Sequence, residues 1–115
     1  AGTVYTVERI PELADAARIL LNKLGYVNVQ VKSAGEEIGW EENAPYDAII
    51  VTAAAPNIHQ GLVEQLALNG RLVIPVGSRW DQELIKLTRT QSGNRVEKLG
   101  GCRFVPLIGR DAWDE

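Results

Sequence analysis

Tyr46-Asp47-Ala48-Ile49-Ile50-Val51-Thr52-Ala53-Ala54-Ala55-Pro56 is the stretch on which the reading of the fold turns. Residues 48–51 are apolar, rich in β-branched side chains and free of in-and-out alternation, so 47–52 reads as a strand buried on both faces. Short side chains follow, from Thr52 to Ala55, and Pro56 closes the run. Ligands of open α/β sheets sit beyond the carboxyl ends of such strands. Small residues there leave backbone amides and carbonyls within reach of whatever binds. A buried strand running into a tight turn accounts for the same letters, so the flanking chain has to decide.

Upstream, residues 3–8 contain Val4, Tyr5 and Val7 and read as a strand ending at Glu8. Pro11 suits the first position of a helix, where no amide partner is needed. Leu13, Ala17, Leu20, Leu21 and Leu24 recur at helical spacing as one apolar stripe, and Gly25 is the expected stop. Val27, Val29 and Val31 alternate with polar neighbours as a second strand. Residues 33–45 carry acids, glycines and Trp40 and read as a loop with one helical turn at most. Downstream of the central stretch, Ile58, Leu62, Val63 and Leu66 mark a short amphipathic helix ended by Asn69-Gly70. Leu72, Val73, Ile74 and Val76 then form an apolar strand before Gly77. The order is β-α-β, loop, β-α-β, which predicts an α/β fold with parallel strands and helical crossovers over about 3–77.

The texture changes after Gly77. Residues 83–90 alternate, 91–94 read as a turn, 95–99 as a strand, Gly100-Gly101 as a kink and 103–108 as a last strand. This β-only tail, about 82–109, predicts an antiparallel edge on the sheet. Trp113 and its acidic neighbours read as a loosely held end. All 115 residues are assigned to one domain.

Composition narrows the function. A net charge of −3 and a pI near 5.2 argue against nucleic acid or an acidic membrane as partner. No apolar run approaches the roughly 20 residues of a membrane span, and no signal peptide opens the chain. The single cysteine, Cys102, reads as a small apolar filler and suits a reducing cytoplasm. The chain has no Met and opens Ala-Gly-Thr directly before a strand, from which we expect a fragment or a processed piece. His59, the only histidine, reads as a surface residue in the first turn of the second helix. No metal-ligand cluster and no Ser/His/Asp set are visible. Glu8 ends a strand where an acid can accept hydrogen bonds from ribose hydroxyls. A solvated glutamate favouring the dipole of the helix at Pro11 explains it equally well.

Four stretches go further: Val-Tyr-Thr-Val-Glu-Arg-Ile-Pro-Glu-Leu-Ala (4–14), Ala-Pro-Tyr-Asp-Ala-Ile-Ile-Val-Thr-Ala-Ala-Ala-Pro (44–56), Asn-Gly-Arg-Leu-Val-Ile-Pro-Val-Gly (69–77) and Arg-Phe-Val-Pro-Leu-Ile-Gly (103–109). In order and spacing they resemble protein-L-isoaspartate O-methyltransferases. The resemblance implies a Rossmann-like S-adenosylmethionine-dependent methyltransferase sheet, mostly parallel with an antiparallel carboxyl-terminal edge. It implies methylation of the carboxylate of isoaspartyl residues in damaged proteins, a repair reaction. It also implies that this chain is the carboxyl-terminal portion, lacking the first strand, its glycine-rich turn and the catalytic hydroxyl residue, which are expected upstream of Ala1.

On the same resemblance, Glu8 is the ribose-binding acid, with Arg9 and Ile10 beside the cofactor. Gly35 and Glu36 stand where the family has Gly-Asp-Gly near adenine; the acid is displaced by one position and lengthened. Thr52, Ala53 and Ala54 line the methyl-transfer site, with Pro75 and Val76 nearby, and Val105, Pro106 and Leu107 hold the isoaspartyl peptide through backbone contacts. No catalytic base is needed, because a carboxylate nucleophile with an ordinary pKa near 4 is already ionised at neutral pH. The missing strand would lie between 3–8 and 47–52. Unpaired buried backbone groups cost about 1–3 kcal/mol each, so these two strands are expected to close on each other or to pair with a second copy. The piece alone is expected to bind cofactor weakly and to be inactive. A non-catalytic nucleotide-binding or self-assembling half-Rossmann module is the alternative; half of a dehydrogenase domain is a third reading, disfavoured by the β-only tail.

Overall fold

The computed structural model describes residues 4–8, 10–25, 28–33, 38–78, 80–108 and 112. Arg9, Val27, Gly35, Glu36, Gly109 and Trp113 lie outside the described residues, and so do the expectations that rest on them. The chain divides into two compact units, Ala1–Trp40 and Glu41–Glu115.

In the first unit, β1 (Val4–Glu8) and β2 (Val29–Ser33) pair in parallel from Val4↔Val29 to Glu8↔Ser33, joined by helix α1 (Pro11–Lys23). Pro11 opens the helix as expected. The chain leaves it through Leu24 and Gly25, whose φ of +85° a side chain would resist. Asp15 holds Arg18 in an ion pair of 2.7 Å, and Arg18 Nη2 donates to the Val31 carbonyl at 3.0 Å, tying helix to strand. On the sheet, Trp40 meets Tyr5 edge-on at 5.3 Å and lies 5.4 Å below the Lys32 ammonium.

The apolar stripe of α1 is only partly covered. Ala14 is fully buried and Ala17 and Leu21 are half-buried, whereas Leu13, Leu20 and Leu24 are exposed. The physical reason is width. Two strands about 5 Å apart cannot span a helix about 10 Å across, so only the line through Ala14, Ala17 and Leu21 finds a surface.

In the second unit, a 3₁₀ turn (Glu41–Asn43) leads into β3 (Tyr46–Ile50), helix α2 (Gln60–Glu64), β4 (Leu66–Gly77), β5 (Gln82–Thr90) and β6 (Gly93–Cys102). The four strands lie in the order β3-β4-β5-β6. β3 and β4 are parallel, while β5 and β6 add the antiparallel edge. The core is the face bearing Leu72, Ile74, Ile85 and Leu87, paired across strands as Leu72↔Leu87 and Ile74↔Ile85, together with Leu62, Val63 and Leu66. Arg89 Nη1 donates to the Leu66 carbonyl at 2.7 Å, where the chain passes from α2 into β4.

Four expectations are corrected here. β3 is not buried on both faces: Ile50 is 74% exposed, because β3 finds a strand only on its β4 side. The second helix does not run to Asn69-Gly70. It starts after His59, its half-buried N-cap, and ends at Glu64, and β4 begins at Leu66. Asn69 and Gly70 instead form an irregularity inside β4, where the pairing jumps from Tyr46↔Leu66 to Ala48↔Arg71. Asn69 has φ +65°, and a Cβ on Gly70 would come within 2.8 Å of the Ala67 carbonyl oxygen and 2.9 Å of that of Tyr46. The expected strand 103–108 is an extended segment held by isolated bridges rather than a ladder. Gly100 and Gly101 do not end the strand: they pair with Leu84 and Glu83, β6 continues to Cys102, and the irregularity is a bulge at Leu99, where the register shifts between Leu84 and Ile85.

Among the described residues β1 is paired with β2 and β3 with β4, each within its own unit. The penalty invoked for unpaired groups applies when they are buried, whereas β3 carries exposed positions that water can solvate.

Candidate functional site

Glu8 stands at the carboxyl tip of β1, beside Ser33 at the tip of parallel β2. Its Oε1 accepts from the Ile10 amide at 3.2 Å, at the N-cap of α1. One carboxylate oxygen is thereby spent on holding the turn and fixing the rotamer. The other is engaged by no described residue. Ile10 is at the surface.

The second cluster forms around the carboxyl end of β3. Beyond Ile50 the chain continues along β4: the Val51 amide donates to the Val73 carbonyl at 2.9 Å, Ala55 donates to Pro75 at 3.0 Å, and Gly77 donates to Ala55 at 3.0 Å. On the opposite edge the Ala54 amide donates to the Val105 carbonyl at 2.6 Å and the Leu107 amide donates to the Ala54 carbonyl at 2.7 Å. Residues 52–55 are therefore gripped from both sides, Ala55 bridging Val76 and Ala54 bridging Pro106, both in parallel. Ala54 and Ala55 are fully buried. Their methyl groups are enclosed where three segments converge.

The sequence-predicted residues divide accordingly. Ala54, Val105, Pro106 and Leu107 are brought together, with Pro75 and Val76 on the far side of Ala55. Thr52 is exposed, and its hydroxyl is engaged by no described residue. Ala53 is half-buried and makes none of these bonds. Val105 is 69% exposed. In the parallel bridge it is Val105 and Leu107 that bond to Ala54, so Pro106, having no N–H, turns its carbonyl away from Ala54. The 105–107 strip thus presents an extended outer edge with an acceptor and no competing donor at Pro106.

Sequence reasoning missed the parts that hold this strip. Gln82, 5% exposed, donates from Nε2 to the Ser78 carbonyl at 2.8 Å and accepts at Oε1 from the Phe104 amide at 2.8 Å. Ser78 Oγ in turn accepts from the amides of Trp80 at 3.2 Å and Asp81 at 3.0 Å, fixing the turn after Gly77. Nothing local announces Gln82: it opens an alternating strand out of phase with the buried Ile85 and Leu87. Among the described residues no group of three or more His, Cys, Asp or Glu is placed to hold a metal, and no helix is long and apolar enough to cross a membrane.

With this geometry in view, comparison with known proteins is decisive. The family model for protein-L-isoaspartate(D-aspartate) O-methyltransferase matches residues 1–112. The chain belongs to that family. A protein-L-isoaspartate O-methyltransferase of Geobacter metallireducens is 54% identical over 114 residues, covering 98% of this chain and 53% of the relative. A solved protein-L-isoaspartate O-methyltransferase superposes with a TM-score of 0.83 at 24% identity, over 96% of this chain and 35% of that one, which speaks for the fold. A second, a putative protein-L-isoaspartate O-methyltransferase from Plasmodium falciparum in complex with S-adenosyl-L-homocysteine, gives 0.73 at 26% identity, over 90% of this chain and 51% of that one. The Rossmann-like methyltransferase architecture is thus established for these residues. The chain spans about half the length of the curated relatives it matches.

Proposed function

We propose that these residues form part of one protein-L-isoaspartate O-methyltransferase domain, which transfers a methyl group from S-adenosylmethionine to isoaspartyl carboxylates of damaged cytoplasmic proteins. The observation that carries the proposal is the parallel grip of Ala54 on the 105–107 strip, in a chain matched to this family over residues 1–112. When bound, the cofactor supplies a methyl group activated by its sulfonium. Glu8 fits the cofactor's sugar, the carboxylate oxygen that no described residue engages accepting from ribose hydroxyls, with Arg9 and Ile10 beside it and Gly35 and Glu36 toward the adenine. Thr52, Ala53 and Ala54 border the reacting carboxylate, and Val105, Pro106 and Leu107 hold the peptide through its backbone. Alignment of the two reactants can contribute about 7–11 kcal/mol. The substrate carboxylate is ionised before it binds, so the chemistry calls for no His or acid base.

The test is transfer of radiolabelled methyl to an isoaspartyl peptide. The whole gene product containing these residues is expected to label the peptide and to ignore its aspartyl twin, while the 115-residue piece labels neither. A whole product that binds S-adenosylhomocysteine yet transfers nothing would favour the non-catalytic module instead.

The exposed edge of β3 supports self-association of the piece. The backbone of Ala48 and Ile50 faces away from β4, because Val51 and Ala55 are the residues that bond to β4. Sedimentation velocity of the 115-residue piece is expected to show a dimer that Ile50→Lys converts to monomer, since a charge on an edge strand blocks strand addition. A monomer before the substitution would sink the idea.

A further inference from the structure

Building on the reading of the 105–107 strip as the peptide-holding edge, we propose that Gln82 is a positioning residue that sets this strip on Ala54 and so governs affinity for the peptide. The strip is not part of a regular ladder. Two bonds to Ala54 hold it from one side, and its amino-terminal approach, at Phe104, is held by the Gln82 carboxamide. The same side chain reaches the Ser78 carbonyl, so one amide links the turn leaving β4 to the strip.

That turn follows Gly77, whose own amide is bonded to Ala55. Both neighbours of the 52–55 segment, one along β4 and one along the strip, therefore meet at Gln82. The role demands a carboxamide, because a donor and an acceptor are needed at one end of the side chain. A carboxylate keeps the bond from Phe104 and loses the donor to Ser78. A leucine loses both and leaves the partners part-buried.

A second link, Arg103 to Asp81 at 3.5 Å, spans the same turn, but both side chains lie more than three-quarters exposed. Screened pairs of this kind hold little. The buried amide, rather than the ion pair, is the fastener.

The experiment uses the whole gene product with Gln82→Leu, Gln82→Glu and, as control, Arg103→Ala. Amide hydrogen exchange and steady-state kinetics with an isoaspartyl peptide are read together. For Gln82→Leu, exchange at Phe104, Leu107 and Ala54 is expected to accelerate about tenfold or more, while Ile74 and Ile85 in β4 and β5 stay protected. The peptide KM is expected to rise about ten- to hundredfold with kcat and cofactor KM within about twofold, because only uniform binding is lost. Gln82→Glu should fall between wild type and Gln82→Leu, and Arg103→Ala should match wild type.

Unchanged exchange at Leu107 overturns the fastening role. Equal loosening of the whole sheet overturns it too, leaving Gln82 an ordinary stabiliser. Local loosening with an unchanged peptide KM leaves the fastener standing but removes peptide binding from the strip. If the unsubstituted product transfers no methyl, the proposed function fails, and the exchange result alone decides whether Gln82 fastens the strip.

Discussion

Gly77→Ala is expected to cost the second unit about 2–4 kcal/mol, the sum of a displaced backbone contact and a resisted dihedral. A Cβ at Gly77 would stand 2.5 Å from the Asp81 carbonyl oxygen and 2.9 Å from the Gln82 Cα, both main-chain neighbours that cannot swing aside. Its φ of +154° adds to the difficulty. The turn has to move, and with it the Ser78 carbonyl to which Gln82 is bonded and the Gly77 amide bonded to Ala55. Gly25→Ala is the natural comparison. Its φ is +85°, yet nothing lies within 4 Å of the added carbon, so only conformational strain of about 1–2 kcal/mol is expected. Urea melts of the two variants should therefore rank Gly77 well below Gly25. Equal midpoints would show that the turn yields freely.

Glu8→Ala is expected to weaken S-adenosylhomocysteine binding by about ten- to hundredfold, the worth of a charged hydrogen bond to a neutral donor. Stability should change by no more than about 0.5 kcal/mol, as for surface substitutions elsewhere, because the side chain's sole bond to a described residue is the exposed one to the Ile10 amide. Glu8→Gln keeps an oxygen for that amide and for a sugar hydroxyl, and should recover part of the affinity. Calorimetry on the whole gene product measures both variants. Affinity within twofold of the parent for Glu8→Ala would take the cofactor's sugar away from this residue. The solvated glutamate at a helix N-terminus would then be the surviving explanation.

These two positions also mark how much was legible beforehand. Glu8 could be picked out because its signal is local: a β-branched run, an acid at its end, then Pro11 to start a helix. Gly77 was visible as the stop of an apolar strand, but not as the place where a side chain has no room. That property depends on Asp81 folding back, which no pattern within β4 encodes. The misjudged end of α2 has the same origin. Asn69-Gly70 has the composition of a helix stop, yet Leu66 is drawn into pairing with Tyr46, and Gly70 instead serves a close approach to the carbonyls of Ala67 and Tyr46.

Local chemistry determined the order of elements, the parallel β-α-β units and the antiparallel tail, since periodicity, prolines and glycines act over a few residues at a time, while the family was legible only in the four stretches that resemble it. The tertiary structure decided which edges stay open, why only Ala14, Ala17 and Leu21 of a wider stripe are covered, and that Gln82 joins the β4 turn to the 105–107 strip. The joining of strip to turn rests on contacts between residues more than twenty positions apart, such as Gln82 with Phe104 and Ala54 with Leu107. Burial and hydrogen bonding at such separations are settled by which surfaces meet, and a linear pattern does not carry that information.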